Sequence, residues 1–441
     1  MTRMDRGHVG VALLVAVLLA VGCSSSKSSS TSSNGTNTTN STNSTNGAAG
    51  SGASTTVAAT ADPLGPMNPA TGTPVKVGMI DDGKGPGVDN SIDSPAAQAT
   101  VKWLNERMNG FAGHPITLDI CVDNADPAKA TDCANQLITD NVVAVAVNAS
   151  TQASSLWTVL HQAHIPVMFY GVSSQQILSD PQTTFALGSP VAVLVSFPSG
   201  LAKAKGATTV TAVVIDVPAA TDAYKGGVNA LFQQEGLKLN VVPIAPGTAD
   251  MTPQMQQVVS TNPTGIVTVI GNDSFCIAAF NGLRTAGFKG TVAAVPQCIT
   301  DATRKAVPGD FLKGIAISAT TPFEDQSDPS VVQYFAVMDK YGASGISRTD
   351  ANGITTFTTV SSLAIAVKDL QGDVTPASVA AAIKAMKESV MPGTGGQHFR
   401  CNGKADSYGP AVCSHSLLST TLDSTGNPTT FTVVNDTPIP D

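Results

Sequence analysis

From Pro74 onward the chain alternates short apolar runs with longer amphipathic stretches. Val75–Ile80, Ile116–Val122, Val142–Val147 and Pro166–Phe169 read as strands. Helical patterns lie between them: one containing Ala96–Met108, one from Asp126 to about Thr139, and one over Ser154–His164. The second of these opens with Asp126-Pro127, an N-cap followed by a proline suited to the first turn. A second run starts near Gly206, with strands Thr209–Ile215, Leu239–Ile244, Gly265–Ile270, Thr291–Val295 and Ile315–Ser318. Helical stretches around Tyr224–Gly236, Thr252–Ser260 and Cys276–Gly287 separate its strands, and Ala-rich helices follow near Thr356–Leu370 and Pro376–Met386. Fully apolar strands divided by helices are the signature of parallel βαβ units. The pattern predicts two α/β lobes of similar size. Asn402-Gly403 and Gly426-Asn427 add hairpin signals near the end.

The first 74 residues follow other rules. Arg3 and Arg6 precede Val9–Val21, an uninterrupted apolar run that is short for a bilayer span. It ends in Leu19-Ala20-Val21-Gly22-Cys23, which resembles the bacterial lipobox, with Ala20 where leucine is commoner. Residues 1–22 are therefore expected to be a lipoprotein signal peptide and Cys23 the lipidated residue. Residues 23–60 are nearly all Ser, Thr, Asn, Gly and Ala, with too little apolar surface to offset ordering entropy, so a flexible tether is expected. No later segment has the length and hydropathy of a membrane span.

Composition narrows the partners. With 42% apolar residues over a length of 441 the chain is not disordered as a whole, and its formal charge of −8 lacks the basic footprint that nucleic acid requires. Setting Cys23 aside leaves Cys121, Cys133, Cys276, Cys298, Cys401 and Cys413. An even number in an exported protein favours disulfides, and sequence proximity predicts Cys121–Cys133, Cys276–Cys298 and Cys401–Cys413. No C-x-x-C pair seeds a zinc site. His161 and His164 stand three apart on a helix, which is more simply read as ordinary helix positions than as a metal pair.

In open α/β sheets, ligands gather at the carboxyl ends of the strands. That rule selects Asp81–Asp89, Asn148–Thr151, Gly171–Ser174, Asp216–Tyr224, Gly271–Ser274 and Gln297. Gly83-Lys-Gly-Pro-Gly departs from the G-x-G-x-x-G dinucleotide loop, and Asp81-Asp82 would repel a pyrophosphate. There is no G-x-S-x-G elbow and no H-E-x-x-H, so no enzymatic activity and no cofactor are expected.

Three segments carry a family resemblance. Val75-Lys-Val-Gly-Met-Ile leads into a loop with Gly83, Gly85 and Pro86. Asp123-Asn-Ala-Asp-Pro-Ala-Lys-Ala follows the second strand. Asn148-Ala-Ser-Thr-Gln precedes Pro166-Val-Met-Phe-Tyr-Gly-Val-Ser-Ser by about twenty positions. In this order and spacing the chain resembles the type I periplasmic binding proteins, specifically the leucine/isoleucine/valine-binding family of ABC importers, over about Pro74 to Val434. The resemblance implies two Rossmann-like lobes with parallel sheets joined by a three-stranded hinge. Lobe 1 would comprise 74–190 and 322–412, and lobe 2 would comprise 191–321 and 413–441.

The resemblance also implies a pocket. Asn148 and Ser150 fall on the loop that holds a ligand carboxylate, and Gly171 and Ser173 on the loop that completes that site. Tyr224 would close over the ligand from the second lobe, beside Asn272. N-capping of the following helices is an alternative for Asn148 and Ser173, and core packing for Tyr224. Gln297 stands where amino-acid-binding members often carry an acid for the ligand's ammonium, and a neutral amide supplies no countercharge. Asp273 or Asp216 would have to compensate if the ligand is an α-amino acid. If Cys276 and Cys298 pair, they pin two loops of this wall.

The expected protein is thus a monomeric solute-binding lipoprotein on the outer face of a bacterial cell membrane, touching the membrane through its lipid alone. It would bind a small polar solute, an amino acid or similar molecule, and deliver it to ABC permease subunits. A surface-tethered ligand sensor of the same fold is the alternative.

Overall fold

The strands expected on the parallel pattern assemble into two sheets, and the burial of each strand reflects its place in its sheet. The computed structural model describes residues 62–85, 88–217, 220–221, 224 and 227–441. The expected signal peptide, Cys23 and the tether lie outside them.

The first sheet contains β1 (Val75–Asp81), β2 (Ile116–Val122), β3 (Val145–Val147), β4 (Val167–Phe169) and β5 (Thr184–Ala186), in the order β2-β1-β3-β4-β5 and parallel throughout. Every residue of β3, β4 and β5 is buried, as expected for strands covered on both faces. In the edge strand β2 only Ile116 is buried. On one face lie α1 (Asp93–Arg107), α9 (Pro329–Tyr341), α10 (Ala351–Ala366) and α11 (Pro376–Ala385), whose core includes Trp103, Leu104, Tyr334 and Phe357. On the other lie α2 (Pro127–Thr139) and α3 (Ala153–Gln162), around Leu137, Leu156 and Leu160. Asp126 caps α2 as expected, its carboxylate accepting from Ala128 N and Lys129 N.

The second sheet contains β6 (Thr209–Ile215), β7 (Lys238–Ile244), β8 (Ile266–Ile270), β9 (Thr291–Ala294), β10 (Ala316–Ala319), β11 (Leu417–Thr421) and β12 (Thr432–Val434). Their order is β12-β11-β10-β9-β8-β6-β7, and only β11 and β12 run antiparallel to their neighbours. Pro243 is tolerated in β7 because that strand is an edge. Helices α4 (Phe197–Lys205) and α5 (Val228–Gln234) cover one face; α6 (Thr252–Thr261), α7 (Asp273–Thr285) and α8 (Asp301–Ala306) cover the other.

The chain passes between the sheets three times, after β5 through Leu187–Val191, after β10 through Thr320–Asp328, and before β11 through Ser414–Ser416. Gly353 in α10 is required by a close approach: a Cβ there would meet the buried Tyr334 hydroxyl at 2.2 Å.

Several elements differ from expectation. The run from Val142 narrows to β3, although Val143 N and the Ala144 carbonyl already bond to β1. The helix expected from Thr356 starts a turn earlier, at Ala351, capped by Asp350 accepting from Asn352 N. Gly426 does occupy the turn between β11 and β12, at φ 79°. Asn402-Gly403 forms no hairpin: Gly403 takes φ 80° within an irregular stretch between Cys401 and Cys413. The structure joins Cys121 to Cys133, Cys276 to Cys298 and Cys401 to Cys413, the three couples that sequence proximity predicts. Among the described residues no helix is long and apolar enough to cross a membrane.

Candidate functional site

Parallel strands end on one edge of their sheet, so the loops leaving β1, β3 and β4 cluster, as do those leaving β8, β9 and β10. The two clusters share cavities. The innermost, of about 340 Å³, has Asn148, Ala149 and Asn352 on one wall, and Gln297, Ile299 and Thr420 on another. Tyr170, Thr320, Phe323 and Glu324 complete it from the β4 loop and the crossing after β10. A second, of about 660 Å³, sets Ser173 and Gln175 against Ile215, Gly271 and Gln297. Residues of all three crossings (Gly188, Ser189, Thr320 and Ser416 among them) line a third with Gly171 and Ser173. Ser150 lines a fourth, with Asp82, Asn90, Gly171 and Ser173. These volumes fall within the range of small-molecule sites.

Asn148 and Gln297 therefore share one cavity, and Ser173 and Gln297 another. Gln297 is exposed on a short 3-10 turn, Pro296–Cys298, which Cys298 ties to Cys276 near the start of α7. Tyr224 and Asn272 line none of the four. Tyr224 is 6% exposed within the core of the second sheet, beside Val195, Ala202 and Phe232; its hydroxyl has no partner, and burial pushes its pKa up. Packing, the alternative for this residue, is where the structure puts it. Asn272 caps α7, accepting from Phe275 N at 3.1 Å. Asp216 and Asp273, the expected compensating acids, also lie outside the four linings, and Asp273 instead accepts from Ser274 N and Thr300 Oγ1.

The acid in the innermost cavity is Glu324. Burial raises its pKa and the Arg304 guanidinium, 3.8 Å away, lowers it, with burial the larger effect. The carboxyl-end rule applies to the loop after β10 as it does to the others, and extending it to that strand finds Glu324.

In and behind the cleft wall lie four buried carboxyls, Asp82 in the lining of the fourth cavity and Asp81, Asp93 and Asp123 behind it. Asp81 is held by Gly83 N, Ser94 N and Ser94 Oγ, yet burial still raises its pKa. Burial pushes Asp93 up to about 7 and Asp123 up to about 6. Asp93 Oδ2 accepts from Asn148 Nδ2 at 3.0 Å, and the same nitrogen donates to the Asn352 carbonyl at 3.3 Å. Asn352 Nδ2 in turn donates to Asn90 Oδ1 at 2.9 Å. The amide nitrogen expected to hold a ligand carboxylate is thus committed inside the protein. Among the described residues no group of histidine, cysteine or acidic side chains is arranged to hold a metal ion. His161 lies 3.1 Å from Asp180 and stacks on Trp157, a structural arrangement.

Two α/β halves, connected three times and sharing a cleft at their strand ends, define a two-lobed solute-binding architecture. A family model described as periplasmic binding protein matches residues 74–411, and the chain belongs to that family. Its fold is that of the type I members, and the family consists of solute-binding proteins rather than enzymes. Among solved structures, a putative branched-chain amino acid ABC transporter protein from Rhodospirillum rubrum superposes with a TM-score of 0.66 at 15% identity, covering 82% of this chain and 100% of its own. An ABC transporter substrate-binding protein from Sphaerobacter thermophilus gives 0.61 at 17% identity, with 83% and 98% covered. A branched-chain amino acid transporter substrate-binding protein from Streptococcus pneumoniae, solved with isoleucine, gives 0.58 at 13% identity, with 82% and 99% covered. At these identities the likeness is one of fold. A search of the curated proteins finds no match.

Proposed function

We propose that the protein is the extracytoplasmic, lipid-anchored solute-binding component of an ABC importer. It would bind a small polar solute, an amino acid or a related molecule, between its lobes and deliver it to a permease. The observation that carries this reading is the innermost cavity, walled by loops from both sheets and by the crossing after β10. The proposed lobes are 74–190 with 322–412, and 191–321 with 413–441; sheet membership of the strands supports the division, and Cys413, bonded to Cys401 in the first lobe's core, moves its last boundary to 413/414. Asn148, Ser150, Gly171, Ser173 and Gln297 are the proposed contacts, with Glu324, Asn352 and Tyr170 added. Ligand bridging the lobes would shift the population toward a closed form that a permease recognises. Cys23 would carry the lipid, and the tether would hold a monomeric body away from the membrane.

A thermal-shift screen of the purified protein, stripped of copurified ligand by unfolding and refolding, tests the binding role. A ligand at 100 times its Kd stabilises by about 2.7 kcal/mol. Silence across amino acids, amines, carboxylates, amides and polyols would refute it. Loss of cellular uptake of the hit on deletion of the gene would support transport, whereas unchanged uptake would favour a sensor. Membrane fractionation of Cys23→Ala tests the anchor, with release into the soluble fraction expected.

A further inference from the structure

On its Asn148 wall the innermost cavity presents a hydrogen-bond acceptor where the family resemblance implies a donor. Asn148 spends Nδ2 on Asp93 Oδ2 and on the Asn352 carbonyl. A backbone carbonyl only accepts, so the amide keeps this orientation whether or not Asp93 carries a proton. Asn148 Oδ1 is left buried and unpartnered in a residue 2% exposed, and that residue lines the cavity. A buried acceptor without a partner is costly, and a ligand N–H satisfies it. Asn352, the second amide on the same wall, likewise uses its Nδ2 within the protein.

Charge points the same way. Glu324 is the one carboxylate lining this cavity, and no lysine, arginine or histidine among the described residues lines it. Arg304 neutralises Glu324 incompletely, since it also pairs with Asp301 at 3.2 Å and donates to the Gly426 carbonyl at 3.2 Å. The remaining lining is uncharged: apolar side chains, including Ile299, Ile317, Phe323, Leu422 and Phe431, stand beside the Gln297 amide and the hydroxyls of Tyr170 and four threonines.

We infer that this cavity takes a primary organic amine without a carboxylate, its ammonium seated between Asn148 Oδ1 and Glu324 and its hydrocarbon body against Phe323 and Phe431. The inference rests on the solute-binding reading and narrows its ligand class. Between Asn148 and Glu324 an ammonium gains a countercharge and an acceptor, whereas a carboxylate meets an acceptor and a like charge there and finds only neutral donors elsewhere in the lining.

Three matched pairs test it by calorimetry and thermal shift on the purified, ligand-stripped protein: leucine with isoamylamine, phenylalanine with 2-phenylethylamine, and arginine with agmatine. Each pair differs by one carboxylate. At least one amine is expected to bind at least tenfold more tightly than its parent amino acid. Glu324→Gln should weaken that amine at least tenfold, and Asn148→Ser several-fold. Glu324 lies at the rim, and Glu324→Asp, which keeps the charge, should retain most of the binding. An amino acid binding as tightly as its amine, or a Glu324→Gln protein with unchanged amine affinity, overturns the proposal and leaves the solute-binding function standing. So does a hit found only among neutral or acidic solutes. A protein that responds to no solute of any class overturns both.

Discussion

Asp93 is an acid in the first turn of α1, where a carboxylate ordinarily gains from the helix dipole. Here it is 1% exposed, Oδ1 has no partner, and Asp81 and Asp350 lie close enough to oppose its ionisation. The hydrogen bond from Asn148 offsets only part of the burial effect, and its pKa reaches about 7 against an ordinary 3.8. Between those values the native protein holds a proton that the unfolded chain has released. Stability from this group is therefore complete below about pH 4 and is lost as pH rises through about 7. A displacement of that size corresponds to about 4 kcal/mol, an upper figure because the buried site relaxes on ionisation. Asp93→Asn removes the titration while its side-chain oxygen still accepts from Asn148. Urea unfolding, followed through the buried Trp103 and Trp157, would be measured at pH 5 and pH 8. The wild type should lose about 1–3 kcal/mol more than the variant between the two conditions, since only the span from pH 5 to about 7 contributes. Asp123, pushed up to about 6, titrates in both proteins and cancels in the difference. Equal losses would show that Asp93 is ionised and solvated in the native state and would refute the argument.

Three further outcomes follow from the packing and the cross-links. Replacing Cys276 and Cys298 together by serine opens a link between positions 22 apart and should cost about 3 kcal/mol in chemical denaturation, while loosening the Gln297 turn and weakening any cleft ligand. Gly353→Ala should destabilise by about 1–3 kcal/mol despite alanine's better helix propensity, because the Tyr334 hydroxyl occupies the space; a rise in Tm would contradict this. Tyr224→Phe should leave ligand affinity unchanged and keep or raise stability by about 1 kcal/mol, since it removes a buried hydroxyl that bonds to nothing. A tenfold loss of affinity would instead put this ring in the cleft.

The parallel strands were legible because burial on both faces makes them continuous apolar runs. β6 and β8 appear in the sequence almost at their observed limits. β5 was not: three residues, Thr184–Ala186, are too few to show a period, and the strand exists because β4 offers a free edge. β11, more than half serine and threonine, owes its pairing to β10, and the three-residue β12 owes its own to β11. The cleft loops could be located because strand ends mark them. The orientation of the Asn148 amide could not, because it depends on Asp93, 55 positions upstream, and on the Asn352 carbonyl, 204 positions downstream. Tyr224 is ambiguous in the sequence for a related reason. A tyrosine after a strand reads the same whether it turns toward a ligand or toward Phe232.

Each of the three disulfides closes within one half of the molecule. Cys121–Cys133 ties β2 to α2, Cys276–Cys298 ties α7 to the Gln297 turn, and Cys401 and Cys413 both pack in the core beneath α1, α9 and α10. The redox state of the surroundings thus governs the stiffness of each half separately and leaves the angle between them unlocked. Every cysteine among the described residues is also consumed. A single cysteine introduced on the cleft rim would be the only thiol in the folded body open to a maleimide dye, a ready-made position for an optical reporter of occupancy.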